Sequence, residues 1–460
     1  MLQPEHRSLW ELTARVGLST RRFISDASSR IAVADLAGCG TLDASPEALR
    51  GRSVVISSTR QLPTVLALLQ LDGVAHRVLL CPPDLASAHM PLIMDEADAD
   101  VVVSDGTGPA AEPPTPVRII SCGTALAPAT TPRDRSGTTE WLLLTSGTTA
   151  RPKIVVHTLA SLIAPLEDGL SVSSEAVWGT FYDVRRYGGL QILLRALLGG
   201  GSLVLSQSGE TARDFLARAG QSGVTHISGT PSHWRRALMS EIPSCFSPKY
   251  VRLSGEAVDQ VILNNLALAF PKASIAHAFA STEAGVAFDV RDGKAGFPAT
   301  IVRGANNNIE MRVVDGSLRI RSNRMASRYL GNGRSLVDED GSVDTGDMVE
   351  LRGDRYYFVG RREGIINVGG LKVHPEEVEA VINRHPDVQI ARVRGRSSPI
   401  TGAIVVADVI VRKPKSLTSI TDEILKTCRR VLPPHKIPVI MREVQSIDIM
   451  ESGKMIRRRA

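Results

Sequence analysis

The densest group of hydrogen-bonding residues in the chain is a short loop. It reads Thr145-Ser146-Gly147-Thr148-Thr149-Ala150-Arg151-Pro152-Lys153. Hydroxyls, a flexible glycine, backbone N–H groups and a lysine are the groups that a triphosphate needs at close range. The order differs from the common P-loop because the lysine follows a proline and a strand-like run comes next. The loop predicts an ATP site unlike that of kinases and GTPases; on composition alone, a Ser/Thr-rich surface turn is the alternative.

Four later segments add carboxylates, glycines and a second lysine. They are Phe279-Ala280-Ser281-Thr282-Glu283, Asp344-Thr345-Gly346-Asp347, the run from Gly360 to Glu379, and Ser452-Gly453-Lys454 with Arg457. With the loop, they resemble in order and spacing the motifs of the adenylate-forming superfamily: acyl- and aryl-CoA synthetases, peptide-synthetase adenylation domains and luciferases. Three departures are Ala150 at a usual glycine, Glu363 where aspartate or lysine is usual, and a missing proline before Gly453. The resemblance covers the chain from about residue 50 onward.

The resemblance implies a role for each residue of an ATP site. The phosphates of ATP would contact Thr145, Ser146, Gly147, Thr148, Thr149, Lys153, Ser281 and Thr282. Glu283 would hold Mg²⁺ against the triphosphate, Asp347 would accept the ribose hydroxyls, and Arg361 would lie beside the ribose. Lys454 would act between the carboxylate and the α-phosphate, with Thr282 and Glu283 completing the catalytic group.

The resemblance also places the acid and the thiol. The acid pocket would include Tyr182, Arg186, Gly188, Gly255 and Ala280. Arg186 could recognise a second polar or anionic group on the acid, with a surface arginine as the alternative. A small C-terminal domain would swing about a hinge at Glu363. Gly370 and Lys372 would then come in beside the pantetheine arm of CoA, although a tight hairpin explains the glycine equally well.

The function implied by the resemblance is that of an AMP-forming acid–thiol ligase. The enzyme would use ATP to activate a carboxylic acid, an aryl or other compact acid being favoured, as acyl-AMP with release of pyrophosphate. The acyl group would then pass to CoA. One alternative is a stand-alone adenylation enzyme that loads the phosphopantetheine of an acyl carrier protein. Another is a catalytically degenerate nucleotide-binding regulatory protein, suggested by Ala150 and the missing proline.

The hydrophobic pattern predicts the elements that position these motifs. Strand-like and helical runs alternate from about residue 53 to residue 283, which predicts two parallel-sheet α/β subdomains. A Pro- and Thr-rich connection is expected over residues 111–133. Short alternating strands from about Ile309 predict a small β-barrel-like subdomain. A hairpin at residues 365–373, a helix from Pro375 and further strands predict a small α+β module.

The expected fold is therefore α/β and multidomain. Residues 1–360 would form a large ATP- and acid-binding domain, and residues 361–460 a small mobile domain that carries the catalytic lysine. The length of 460 residues, with 43% hydrophobic and 22% charged residues, agrees with a multidomain globular protein.

Charge and cysteine use exclude several other classes. Residues 361–460 hold 19 Lys and Arg against 11 Asp and Glu, but these cations are dispersed and lack aromatic interleaving, so we expect no nucleic-acid partner. The chain has no apolar run of membrane-spanning length and no signal-peptide pattern, so we expect a cytoplasmic protein without a membrane partner. Five scattered cysteines predict neither disulfides nor a zinc site. A homodimer remains an open possibility.

Overall fold

The computed structural model describes most of the chain. The described residues are 7–106, 117–129, 137–145, 152–167, 173, 175–304, 309–331, 333, 335–398, 401–412 and 414–447. Within these ranges, no helix has the length and apolar character needed to cross a bilayer. All five cysteines are free thiols in this structure.

Helices and strands alternate through most of the chain. The first part contains α1 (Leu9–Val16), β1 (Phe23–Ser25), β2 (Arg30–Ala32), β3 (Cys39–Leu42), β4 (Ser53–Ile56), α2 (Gln61–Leu71), β5 (Arg77–Leu80), α3 (Met90–Glu96), β6 (Val101–Ser104), β7 (Arg118–Pro128), β8 (Glu140–Thr145), β9 (Lys153–His157) and α4 (Leu159–Glu167). The second part contains β10 (Val177–Thr180), α5 (Tyr187–Leu198), β11 (Ser202–Leu205), α6 (Ala212–Gln221), β12 (His226–Gly229), α7 (Pro231–Met239), β13 (Tyr250–Leu253), α8 (Gln260–Ala269), β14 (Ser274–Ser281) and β15 (Gly285–Val290).

Strands predominate after this point. The third part contains β16 (Phe297–Pro298), α9 (Ala299–Arg303), β17 (Ile309–Val314), β18 (Ser317–Ser322), β19 (Arg328–Leu330), β20 (Val343–Arg352) and β21 (Arg355–Arg361). The fourth contains β22 (Ile366–Val368), β23 (Leu371–Val373), α10 (Pro375–Ile382), β24 (Val388–Ser398), β25 (Gly402–Val411), α11 (Leu417–Val431) and β26 (Ile440–Glu443).

Two eight-stranded sheets form the large part of the molecule. The first has the order β19-β9-β8-β5-β4-β6-β7-β3, and the second β15-β14-β13-β12-β10-β11-β1-β2. The inner strands of each sheet are parallel. Their fully buried runs, such as the one in β4, are typical of strands covered on both faces. This confirms the two predicted α/β subdomains.

The largest core is shared by the two sheets. It combines side chains of α2, α4 and α5 with residues of β4 and β11. Helix α2 is buried along its whole length, which explains its apolar sequence on all faces. The two sheets therefore pack as one body around these helices.

A five-stranded antiparallel sheet, in the order β16-β21-β20-β18-β17, forms the third subdomain. It has its own core, built around Phe297, Leu318 and Ile320. The last module has a separate core, in which α10 and α11 cover the sheet β24-β25-β26. The hairpin β22–β23 confirms the predicted turn at Gly369 and Gly370, both at positive φ.

The expected connection over residues 111–133 was partly wrong. The described residues include β7, an eleven-residue strand that pairs with β6 and β3. Its burial alternates from Ile119 to Ala127, with Ile120 and Cys122 buried and Thr124 and Leu126 half-buried. Most of its other side chains are small, polar or exposed, so the sequence lacks the apolar alternation that marks a strand.

The N-terminal segment is tied to the second sheet by a buried arginine. Arg22 is 2% exposed, and its guanidinium donates hydrogen bonds to the carbonyls of Leu197 and Gly201 at the end of α5. These contacts satisfy carbonyls that a helix end leaves unpaired. Strand β1 then pairs with β11, so the N-terminal segment extends the second sheet.

Candidate functional site

A cavity of about 340 Å³ lies where the two sheets and the antiparallel sheet meet. Its walls come from the carboxyl ends of parallel strands, the usual place for ligands in such sheets. The predicted site residues that line it are Thr145, Lys153, Tyr182, Arg186, Gly188, Gly255, Ala280, Ser281, Thr282, Glu283, Arg361 and Glu363. The structure thus brings together residues that lie up to 218 positions apart in sequence.

Backbone register places the two described ends of the phosphate loop side by side. Strands β8 and β9 are antiparallel, and Thr145 lies opposite Lys153 in their ladder. The hydroxyl and the ammonium group therefore face the same rim of the cavity. Ser146, Gly147, Thr148 and Thr149 lie outside the described residues.

Glu283 is held next to Lys153 by an aromatic residue that the sequence reasoning missed. The Tyr329 hydroxyl donates to Glu283 Oε1 at 3.3 Å, and the Lys153 ammonium lies 5.3 Å from the centre of the Tyr329 ring. Tyr329 belongs to β19, which pairs with β9. The one signal in the sequence was a short apolar run, Tyr329-Leu330, which alone indicates no function.

The end of β14 positions the Ser281–Glu283 segment. A β-bulge at Phe279 and Ala280 changes the register with β15, and such bulges redirect the side chains that follow. The Ala284 amide donates to Ser281 Oγ at 2.9 Å, and the Ala326 amide donates to the Glu283 carbonyl at 2.9 Å. The segment is therefore fixed at its backbone.

A buried histidine supports the same segment from behind. His157 Nε2 lies 2.7 Å from the Thr282 carbonyl, and Nδ1 lies 2.9 Å from Ser161 Oγ. Burial lowers the pKa of His157 to about 4, although the Thr282 carbonyl opposes this shift. The imidazole is therefore neutral at pH 7. Its Nε2–H donates to the Thr282 carbonyl, and its Nδ1 accepts a hydrogen bond from the Ser161 hydroxyl.

The donor set fits a magnesium ion bound mainly through phosphate. Among the described residues, no three His, Cys, Asp or Glu side chains cluster as a protein-only metal site. Mg²⁺ is commonly held by one or two carboxylates plus substrate phosphates and water. Glu283 supplies one carboxylate on the cavity wall, on the same side as Lys153, and so fits this requirement.

Two ion pairs fix the predicted ribose side. Arg361 Nε donates to Asp347 Oδ1 at 3.0 Å, and Arg362 Nη1 donates to Asp344 Oδ2 at 2.8 Å. The charge of Asp347 raises the pKa of Arg361. Burial works against ionisation of Asp344, but hydrogen bonds from Ser317, Gly346 and Arg362 hold its pKa below the usual range. Asp347 itself lies just behind the cavity wall, in contact with Arg361.

The acid side is more enclosed than the nucleotide side. The Tyr182 hydroxyl bonds to the Ser254 carbonyl at 2.8 Å, and burial raises the pKa of this phenol to about 12. Gly255 follows at positive φ. Arg186 precedes the first turn of α5 and lines the cavity, but one of its terminal nitrogens forms an ion pair with Asp84. Thr230 and Ser254, which also line the cavity, were not predicted as pocket residues.

Some predicted residues lie away from the cavity. Gly370 and Lys372 are in the hairpin β22–β23 and do not line it. Lys454 lies outside the described residues, so its catalytic role stays a prediction.

Comparison with known proteins agrees with this arrangement. The family model for AMP-binding enzymes matches residues 50–330, and the model for the AMP-binding enzyme C-terminal domain matches residues 377–454. The 2-succinylbenzoate–CoA ligase of Salmonella typhimurium is 26% identical over 346 residues, covering 74% of this chain and 72% of that protein.

Two solved structures share the fold over nearly the whole chain. One is the o-succinylbenzoate CoA synthetase of Bacillus subtilis in complex with its acyl-adenylate intermediate, with 18% identity, a TM-score of 0.75, and coverage of 98% of this chain and 97% of that chain. The other is an anthranilate CoA ligase in complex with anthranoyl-AMP, with 17% identity, a TM-score of 0.79, and coverage of 98% and 96%. Since the first family model alone spans more than half of the sequence, the chain belongs to the family of AMP-binding enzymes.

Proposed function

We propose that this chain is an ATP-dependent acid–CoA ligase, which forms an acyl-AMP with release of pyrophosphate and passes the acyl group to CoA. The observation that supports the proposal is that one cavity is lined both by Lys153 and Glu283 and by Tyr182 and Gly255 of the enclosed acid pocket. The relatives named above are CoA ligases, and two fold neighbours hold acyl-adenylates.

The first half-reaction joins two anions, so the site must neutralise charge and align the reactants. Lys153 and the hydroxyl of Thr145 would contact the β- and γ-phosphates, and Thr282 would contact the phosphate nearest the acid. Mg²⁺ supplies charge neutralisation on the triphosphate when bound. Glu283, fixed by Tyr329, would hold it there. The ribose diol would hydrogen bond to Asp347, whose carboxylate Arg361 keeps in place.

The second half-reaction needs room for a thiol where the catalytic lysine acted. We assign residues 1–360 and 361–460 to two domains that exchange faces about Glu363. Gly360, at the junction, has φ +144°, and a Cβ there would lie 2.4 Å from Glu376 of the last module. A larger residue would be strained at this φ, and the Glu376 carboxylate would have to shift to admit it. After rotation, Gly370 and Lys372 would approach the pantetheine arm, and Lys454 would leave the site.

The acid is proposed to be an aryl or other compact acid. A cavity of about 340 Å³ must also receive part of the nucleotide, which leaves space for one ring or a short chain. The named relatives act on 2-succinylbenzoate and anthranilate, both of which are aryl acids.

The acceptor thiol and the oligomeric state belong to the same proposal. Free CoA is the preferred acceptor. The excess of 19 cationic over 11 anionic residues in 361–460 would also attract an acidic carrier protein. Comparing CoA with a holo-carrier protein as acceptor decides between them, and sedimentation tests the possible homodimer.

The test is a pyrophosphate-release screen with MgATP and a panel of acids that includes 2-succinylbenzoate, anthranilate, benzoate and octanoate. We expect acid-dependent release with at least one of them. Lys454→Ala should abolish that release but keep thioester formation from a supplied acyl-AMP. Equal loss of both steps would exclude the two-state assignment, and ATP binding without release for any acid would favour a regulatory nucleotide-binding protein.

A further inference from the structure

A second cavity, of about 570 Å³, lies beside the one described above. It opens at the carboxyl ends of β1, β10 and β11, which run parallel, and the residues that follow these strands line it. The chain passes from β10 to β11 on one side of β10 and then returns to β12 on its other side. Parallel sheets bind ligands where their strand order reverses in this way. The fold therefore favours a ligand at the second cavity.

The second cavity is separate from the site of the ligase reaction. Phe181 lines the second cavity and the next residue, Tyr182, lines the first. Among the described residues, Asp183 is the one that borders both cavities. No described residue of 361–460 lines the second cavity, whereas three of them line the first. The walls of the second cavity therefore do not depend on the position of the last module.

His233 presents a hydrogen-bond donor to this cavity. The residue is 8% exposed, and its ring is stacked on Phe181 with 5.3 Å between the ring centroids. Its Nδ1 accepts a hydrogen bond from the Thr230 amide at 3.1 Å, within the capping box that begins α7. Burial lowers the pKa of His233 to about 3, so the ring is neutral at pH 7 and its proton is on Nε2. In the part of the chain that the structure describes, no group pairs with Nε2, which is left to donate into the cavity.

The first turn of α6 supplies two further donors. This ten-residue helix begins at the cavity, where Thr211, Ala212 and Arg213 line the wall. The Thr211 hydroxyl accepts from the Asp214 amide at 3.1 Å, and no described group accepts from the amides of Ala212 and Arg213. The first amides of a helix have no partner within it, and together with the helix dipole they attract an anion.

The charges around the cavity also favour an anion. Arg236 lies one turn after His233 on α7 and lines the rim, where it is exposed. Glu256 acts on the charge of Arg236, but its two oxygens accept hydrogen bonds from Ser232. The carboxylates that line the cavity are each paired with an arginine: Asp26 with Arg60, Asp183 with Arg185, and Glu210 with Arg218. Because its own carboxylates are neutralised in this way, the cavity does not repel an anion.

We propose that the second cavity binds a free phosphate monoester, at a site separate from those of ATP, the acid and the acceptor thiol. The phosphate accepts hydrogen bonds from His233 Nε2 and from the amides of Ala212 and Arg213, with Arg236 at the rim. Three separate donors match the three terminal oxygens of a phosphate monoester better than the two oxygens of a carboxylate. Binding at this site is independent of the ligase reaction.

The remaining volume of the cavity fits a ring attached to the phosphate. Phe181 and Phe215 line one wall, with their rings 4.9 Å apart and edge to face. A cavity of about 570 Å³ is larger than a phosphate needs and lies within the usual range for sites of small organic ligands. The proposed ligand is therefore a phosphate monoester with an aromatic or other ring-shaped body.

The test is isothermal titration calorimetry with phenyl phosphate, while α,β-methylene-ATP and Mg²⁺ fill the nucleotide site. We expect one saturable site per chain, with weaker binding of inorganic phosphate, which lacks the ring, and of phenol, which lacks the phosphate. His233→Asn keeps an acceptor in the place of Nδ1 but has no donor in the place of Nε2, so it should weaken binding by about tenfold or more. Arg236→Gln should weaken it by about two- to fivefold. The control Arg235→Gln removes the neighbouring charge, which pairs with Asp259 away from the cavity, and should keep the wild-type affinity.

Thermal unfolding verifies that each variant is folded, and if His233→Asn is not, Arg236→Gln and its control decide. No saturable binding of phenyl phosphate, or the same affinity in all four proteins, would overturn the proposed site and leave the ligase function standing. Displacement of phenyl phosphate by millimolar CoA would assign the cavity to the acceptor and would also overturn a separate site. Binding that depends on His233 in a chain that releases no pyrophosphate with any acid would support the site and contradict the ligase function.

Discussion

The mouth of the cavity and the layer of residues behind its acid side, called the floor here, are built in opposite ways. At the mouth, Lys153, Glu283 and Tyr329 occupy neighbouring strands or strand ends, and each is in contact with another of the three. At the floor, Arg195 and Arg252 share Asp289, and among the described residues their Nε atoms have no hydrogen-bond partner. The difference teaches that the geometry of the mouth is fixed by contacts among its own side chains, whereas the two arginines of the floor depend on one shared carboxylate. Substitutions at the mouth should therefore affect every acid.

The largest effect is expected for Glu283→Gln. The change keeps the size of the side chain but removes the charge that faces Mg²⁺, so pyrophosphate release should fall by about 100- to 1000-fold, the range found when one preorganised electrostatic contact is removed. The loss should be the same for every accepted acid. Steady-state kinetics at saturating MgATP measure it.

Excess magnesium provides the control for this substitution. Glu283→Asp keeps the charge on a shorter side chain and should regain part of its activity as the Mg²⁺ concentration rises, whereas Glu283→Gln should not. An unchanged rate in Glu283→Gln would remove Glu283 from the metal site.

The next largest effect concerns His157 and pH. Its folded pKa of about 4 lies below the usual value near 6.5, so the unfolded chain binds this proton more readily. The part of the folding stability that depends on His157 is therefore fully present above pH 6.5 and is lost as the pH falls toward 4. At pH 4.5 the loss from this group should be about 2 kcal/mol. Urea unfolding of the wild type at pH 7.5 and 4.5 measures the whole decrease.

A matched pair of histidine variants isolates this contribution. His157→Gln should show a decrease between the two pH values that is smaller by about 2 kcal/mol. His76→Gln, which changes an exposed histidine, should keep the wild-type decrease. The burial of His233, whose pKa is lowered to about 3, acts in the same direction and remains in both variants. Identical decreases in all three proteins would contradict the assignment.

A smaller effect is expected for Tyr329→Phe. The substitution removes the hydroxyl that bonds to Glu283 Oε1 but keeps the ring beside Lys153. One hydrogen bond to a charged group contributes about 1.5–3 kcal/mol, so a rise of roughly 10- to 150-fold in the KM for MgATP is expected. The KM for the acid should not change. A loss confined to the acid KM would show that Tyr329 acts elsewhere.

The smallest effect is expected at the pocket edge. Asp84→Asn removes the charge that pairs with Arg186, a partly exposed ion pair worth about 1 kcal/mol or less. Stability should hardly change, but the released guanidinium should raise activity with acids that carry a polar group near the mouth by two- to fivefold. Competition between benzoate and anthranilate measures this change, and an unaltered ratio would leave Arg186 as a structural residue.

The sequence predicted the mouth better than the floor, for a physical reason. Thr145, Lys153 and Glu283 belong to short segments whose residue types indicate phosphate or metal binding. The strands β8, β9 and β14 are predicted from their apolar runs. Tyr329 could not be predicted because its role arises only when β19 pairs with β9.

The floor depends on contacts that leave no local pattern. Arg195 lies within an apolar helix and Arg252 within an apolar strand, where a sequence pattern alone does not say which residues they face. Their shared partner, Asp289, lies 37 residues beyond Arg252. Strand β7 was missed for a related reason. Its pairing with β6 and β3 places it in the sheet, whereas its sequence gives only a weak apolar pattern.

The most direct test of the central claim follows oxygen from the acid. The protein is incubated with MgATP, CoA and an accepted acid labelled with ¹⁸O in its carboxylate, and the nucleotide product is analysed by mass spectrometry. If the carboxylate attacks the α-phosphorus, one labelled oxygen bridges acid and phosphate in acyl-AMP and leaves with AMP when the thiol attacks the carbonyl carbon. The account predicts AMP with one ¹⁸O and unlabelled pyrophosphate; ADP with labelled inorganic phosphate would contradict it.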